Sequence, residues 1–184
     1  MLTRDEALDS IEVNVENKNT IKHMLATEAI MRALAKRLGE DVEEWGLTGL
    51  LHDIDMELCE GDMSTHSKLG ADLVREMGAS EAMAHAILCH NEAHGIPRES
   101  KLDKALFCAD PLTGLIIAAA LVRPDKKLAS VETKSVQKKF KEKSFAAGAN
   151  REQIALCSEL GIELDKFTEL GLKAMKGIAE DLGL

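Results

Sequence analysis

The sequence predicts an all-α protein, and three observations lead there. Apolar residues recur at spacings of three and four, and capping residues precede the apolar runs, with glycines behind several of them. No segment alternates apolar with polar as a half-buried strand does. With 184 residues, 45% of them hydrophobic, the chain is long enough for one compact domain with a single core.

The elements follow in order. Thr3-Arg4-Asp5-Glu6 forms a capping box ahead of Ala7, Leu8, Ile11 and Val15. A second helix is expected from about Asn19 to Leu38, striped by Ile21, Leu25, Met31, Leu34 and Leu38 and stopped at Gly39. A third covers Val42 to about Ile54 through Trp45, Leu47, Leu50 and Leu51. Ser64 or Thr65 can cap a fourth that ends near Gly78, and Ser80 caps a fifth that ends near His90. Asn91 to Ser100, with Gly95 and Pro97, reads as a loop. A long apolar helix is expected from about Leu102 to Leu121, where Pro111 should kink it or break it in two. Beyond Arg123-Pro124 lie shorter helical pieces in a basic stretch. Asn150 then caps a helix to about Leu160, closed by Gly161, and Glu163 to Leu182 forms the last. The expectation is about seven to nine helices in one domain over residues 1–184.

Composition narrows the function. The net charge of −9 argues against an overall basic footprint for DNA or RNA, and aromatics at 3%, with no Tyr and one Trp, offer few stacking platforms. No nucleic acid polymer is therefore expected as a partner. The most apolar stretch, Leu112 to Val122, has 11 residues, short of the roughly 20 that span a bilayer, so no membrane is expected either. The beginning, MLTRDEALDS, is acidic and polar and unlike a secretory signal. Cysteines at 59, 89, 108 and 157, with no C-x-x-C, suit a reducing cytoplasm. The oligomeric state is open.

All six histidines fall between His23 and His94. His52 and Asp53 adjoin near the end of the apolar run GLLHDID. Neighbouring helical residues point about 100° apart, so both serve one buried place only if something sits between them, and a divalent cation does so while offsetting the burial of the carboxylate. His23 sits among Ile21, Met24 and Leu25, and Asp110 interrupts the apolar KALFCADPLTGLI. Two imidazoles and two carboxylates suit zinc, manganese, iron or nickel better than calcium.

The order His23 … His52-Asp53 … Asp110 on helices resembles the HD-domain superfamily of metal-dependent phosphohydrolases, over roughly residues 20–125. Thr65-His66-Ser67-Lys68-Leu69-Gly70 resembles the H-x-x-x-G segment of binuclear members. The run from Ala86 through His90 to Gly95 resembles their helix that ends in a ligand histidine. The resemblance implies an HD-type core over about 20–125 with a C-terminal helical extension over about 126–184. It also implies one or two divalent ions: His23, His52, Asp53 and Asp110 on one, His66 and His90 on the second, and Asp53, the catalytic residue, bridging both. Asn91 stands where the cyclic-di-GMP phosphodiesterases of the superfamily carry a second consecutive histidine, and Gly95-Ile96-Pro97 where they carry glycine-tyrosine-proline, which sets this chain apart from them. Asn19 and Asp55-Met56-Glu57 also depart from supporting positions of some members. His85 and His94 fall outside the implied ligand set, His85 because it lies about 140° around the helix from His90.

From Arg123 to Lys143 eight basic and three acidic residues leave a local excess of five positive charges. Such a segment can draw in a phosphorylated substrate. Arg123 is the expected phosphate fork, and Lys138 and Lys139 lie in a stretch that opens like an anion-binding helix N-terminus. The activity implied is hydrolysis of a phosphoester or phosphoanhydride in a small nucleotide or phosphorylated metabolite by metal-activated water. The ligand set leaves two alternatives open: a mixed-valent di-iron oxygenase on the same fold, and a module that binds nucleotide without turnover.

Overall fold

Thr3 opens the first helix of the computed structural model as the capping box requires. Its hydroxyl accepts from the Glu6 amide, and the Glu6 carboxylate accepts from the Thr3 N–H at 2.8 Å. The structure describes residues 2–184, and among them there are ten α-helices, three short 3-10 helices and no strand. The helices are α1 (Arg4–Asn14), α2 (Lys18–Leu38), α3 (Val42–Leu51), α4 (Lys68–Glu76), α5 (Glu81–His90), α6 (Lys101–Leu121), α7 (Thr133–Lys141), α8 (Arg151–Ala155), α9 (Leu164–Lys176) and α10 (Ala179–Leu182).

The two longest helices, α2 and α6, pack on each other and organise the rest. Helices α3, α9 and α10 lie against α2, and α5, α7, α8 and α9 lie against α6. Helix α2 buries Met24, Thr27, Met31 and Leu34 at helical spacing, with Ile30 and Ala35 beside them. Helix α3 is buried all round from Trp45 to Leu51, because α2 approaches it closely. A Cβ at Gly49 would stand 3.0 Å from the backbone nitrogen of Glu28, so only glycine fits at that crossing. One hydrophobic cluster joins residues from Leu2 in front of α1 to Leu182 in α10.

Four boundaries differ from the sequence reading. Helix α3 ends at Leu51, and residues 52–67 form turns before α4 starts at Lys68. Helix α6 runs through Pro111 unbroken. The proline forfeits one amide hydrogen bond, at a cost of roughly 3 kcal/mol, but burial of α6 against six other helices outweighs it. The segment after Asn150 tightens into a 3-10 helix over Leu156–Leu160, and the final helix divides between α9 and α10. By length and apolarity α6 could cross a membrane; it is instead a central helix, with 61% of its most apolar window buried.

Candidate metal centre

The end of α3 at Leu51 decides how the site is built. His52 and Asp53 stand on the turn that follows, not inside a helix, and both side chains reach the interior: His52 is fully buried and Asp53 is 6% exposed. His23 comes from α2, His66 from the turns ahead of α4, His90 from the last residue of α5 and Asp110 from α6. The structure brings all six together. Nε2 of His23 lies 3.1 Å from Asp110 Oδ1, 3.1 Å from His52 Nε2 and 3.5 Å from Asp53 Oδ2.

Each of the four imidazoles is held through its Nδ1. That of His23 meets the Thr113 hydroxyl at 2.9 Å, and since this hydroxyl donates to the Asp110 carbonyl oxygen it accepts from the ring. That of His52 donates to the Gly49 carbonyl oxygen at 2.8 Å, that of His90 to the Ile87 carbonyl oxygen, and that of His66 to Asp55 Oδ1 at 2.9 Å. An imidazole whose Nδ1–H is spent on a carbonyl, hydroxyl or carboxylate keeps its Nε2 lone pair free, the usual arrangement of metal-binding histidines. All four Nε2 atoms face the Asp53 carboxylate, and they divide between its oxygens. His66 and His90 stand 3.5 Å from Oδ1; His52 and His23 stand 3.4 and 3.5 Å from Oδ2.

The electrostatics call for a cation. Burial opposes charge on His52, yet the Asp53 and Asp110 carboxylates prevail and raise its pKa to about 9. Burial equally opposes ionisation of Asp53, but His52, His90 and His23 hold it well below the ordinary carboxylate range. For Asp110, too, burial works against the charge, and His23 and His52 outweigh it. A charged carboxylate as buried as that of Asp53 needs a protonated imidazole or a metal ion beside it, and the partly exposed Asp110 shares the same imidazoles. The donor atoms of two overlapping trios, His23/His52/Asp110 and His52/Asp53/His90, lie within 4.8 Å of one another. The donor set, imidazole nitrogen with carboxylate oxygen, fits a divalent transition metal.

Asp55 is the residue that the sequence reading passed over. It is fully buried, and besides His66 it accepts from the amides of Ser67 at 2.7 Å and Gly70 at 2.8 Å. Burial opposes its charge, but His66 and these amides keep its pKa lowered. The signal was present as a second acid two positions beyond Asp53 in an apolar run. It also explains the spacing of His66 and Gly70, since a Cβ at position 70 would stand 3.1 Å from the Asp55 carboxyl carbon. Gly70→Ala is expected to push that carboxylate aside, costing about 1–3 kcal/mol and loosening His66. Thermal denaturation with a metal count checks this; an unchanged melting temperature and metal content would show that the contact tolerates a methyl group.

The other polar side chains of the sequence reading lie elsewhere. His94 donates to the His66 carbonyl oxygen at 2.7 Å, and the Asn91 amide donates to that oxygen and to the Met63 carbonyl oxygen, so both brace the turn behind His66. His85 points to Asp103. Arg123 is exposed beside Ser130, and Lys138 and Lys139 sit in the last turn of α7, with Lys139 paired to Glu142 at 2.7 Å. None of the three is among the residues that line the cavity over the metal centre. Because α7 begins at Thr133, its lysines meet the negative end of the helix dipole, not an anion-binding N-terminus. The cavity encloses about 580 Å³ over His23, Asp53, His66, His90 and Asp110, and Asn19, Thr20 and Gln153 contribute to its wall.

A helical domain that gathers four imidazoles and two carboxylates, three of the imidazoles and both carboxylates lining one cavity, has the construction of a metal-dependent phosphohydrolase. The family model of the HD domain matches residues 20–121, and the chain belongs to that family. Among curated proteins it is similar to Ribonuclease Y of Geobacter sulfurreducens, 30% identical over 90% of this chain and 32% of the relative. Ribonuclease Y of Lawsonia intracellularis is 28% identical over 73% of this chain and 26% of the relative. Ribonuclease Y of Oleidesulfovibrio alaskensis is 32% identical over 53% and 18%. The chain thus spans between about a fifth and a third of the length of these relatives. No solved structure matches it. Relatives named as ribonucleases overturn the expectation that no nucleic acid polymer is involved. Net charge sums the whole surface and so does not exclude a local site for phosphate.

Proposed function

We propose that this chain hydrolyses phosphodiester bonds of RNA at a two-ion centre. The observation that carries the reading is the division of four Nε2 atoms between the two oxygens of Asp53. One seat comprises His23, His52, Asp53 Oδ2 and Asp110; the other comprises His66, His90 and Asp53 Oδ1. When bound, two divalent transition-metal ions lower the pKa of water to near neutrality and neutralise charge developing on the phosphate oxygens. Asp53 sets the spacing of the two seats. Thr113, Gly49, Ile87 and Asp55 hold the rings in the tautomer that leaves Nε2 free. Asn19, Thr20 and Gln153 offer amide and hydroxyl groups to phosphate or ribose oxygens at the cavity wall. RNA is chosen over a free small nucleotide because the Ribonuclease Y likeness extends over as much as 90% of this chain.

The test is a single panel. Metal-reconstituted protein is given a single-stranded RNA, the same sequence as DNA, and free nucleotides, while oxygen uptake is followed in parallel. Cleavage of RNA with release of phosphate-terminated fragments is expected. Turnover of free nucleotides alone would return the substrate to the small-molecule class. Oxygen uptake with an Fe(II)/Fe(III) signal would make the site an oxygenase, and nucleotide binding without any hydrolysis would make it a binding module.

A further inference from the structure

A separate ligand cluster stands where α5 meets α6. His85 and Cys89 are one turn apart on α5 and share a face, and Asp103 comes from the first turn of α6. Ligand atoms of the three lie within 4.8 Å of one another. Cys89 precedes His90, but consecutive helical side chains point about 100° apart, so the thiol and the His90 ring leave α5 in different directions. Cys89 is fully buried, Asp103 is 1% exposed, and the His85 side chain is 40% exposed.

Asp103 is the telling member. Its Oδ2 accepts from the amides of Glu99 at 3.0 Å and Ser100 at 2.9 Å. Its Oδ1 is, among the described residues, the buried side-chain oxygen or nitrogen left without a hydrogen bond. His85 Nδ1 stands 3.2 Å from it, close enough for an ion pair but too oblique for a hydrogen bond. The neighbouring Arg98 does not fill the gap: its guanidinium donates to the Cys89 carbonyl oxygen at 3.2 Å and lies 3.6 Å over the Phe107 ring. A buried carboxylate oxygen with an open valence, a thiol and an imidazole thus converge on one point.

We infer that His85 Nδ1, Cys89 Sγ and Asp103 Oδ1 hold a cation of the zinc class. One sulfur, one nitrogen and one oxygen donor suit zinc and exclude magnesium and calcium, and the exposed flank of His85 leaves a fourth position for water. Coordination releases the Cys89 thiol proton to solvent. The ion pins α5, which ends in His90, to α6, which carries Asp110 two turns beyond Asp103, so it braces the helix crossing beneath the first centre.

Cobalt(II) titrated into the metal-free chain tests this, because a thiolate-to-cobalt charge-transfer band reports sulfur ligation and the His/Asp centre has no sulfur donor. One thiolate-ligated cobalt per chain is expected. Cys89→Ser should abolish the band, and His85→Ala, a change at a half-exposed position that leaves the packing intact, should weaken cobalt binding at least tenfold. Cys59, near Asp55 and His66, is the competing thiol, and Cys59→Ser should leave the band unchanged. Absence of the band in the parent, its survival in Cys89→Ser, or parental affinity in His85→Ala would each overturn the site.

Discussion

Asp53→Ala is expected to empty both metal seats at once and to lower hydrolysis by on the order of 10³-fold or more. Each Asp53 oxygen faces a different pair of imidazoles, so alanine removes a ligand from both seats, whereas loss of any one histidine touches a single pair. Electrostatic stabilisation by bound ions contributes several kcal/mol to such reactions, and each 1.36 kcal/mol is a tenfold change in rate. Elemental analysis of the purified variant beside its phosphodiesterase rate gives the answer. Parental metal content with parental turnover would remove Asp53 from the centre. Asp53→Asn sharpens the result: one amide oxygen can still serve a single seat, so it is expected to retain more metal than the alanine variant while remaining inactive.

Asp55→Ala should act on the fold and on one seat together. The substitution strands three buried donors, His66 Nδ1–H and the amides of Ser67 and Gly70, and a loss of about 3–5 kcal/mol in unfolding free energy is expected. His66 also loses the partner that fixes its tautomer, so affinity for the ion held with His90 should fall roughly 10–100-fold. Denaturant unfolding and a metal titration separate the two effects. Asp55→Asn, which keeps the volume and one acceptor oxygen, should recover much of the stability but not the affinity. If it restored both, the role of Asp55 would be spatial, not electrostatic.

Much of this centre was legible in the chain itself. Helices appeared because their hydrogen bonds and apolar stripes close within a few residues, and the candidate ligands stood out because charged or titratable groups interrupted apolar runs: His23 in α2, Asp110 in α6, His52-Asp53 after α3. Asp55 carried the same signal and was missed, since it touches His66 and not the seats themselves. Pro111 does not break α6, because the cost of an interior proline is local, while the burial that outweighs it comes from α2, α3, α5, α7, α8 and α9. The expected helix start at Lys138 and Lys139 is instead a helix end, because α7 spans only Thr133–Lys141.

The sequence by itself therefore determined the helical architecture, the identity and order of the six clustered side chains, and the family. It could not determine which ring nitrogen is free or which Asp53 oxygen serves which imidazole. Those depend on contacts such as His23 with Thr113, 90 residues apart in the chain, and Asn91 with the His66 carbonyl, 25 apart. Helix periodicity encodes only what lies within a turn or two of each residue. The orientation of an imidazole is set by whichever acceptor the packed core brings to its far side, and only the tertiary structure decides that.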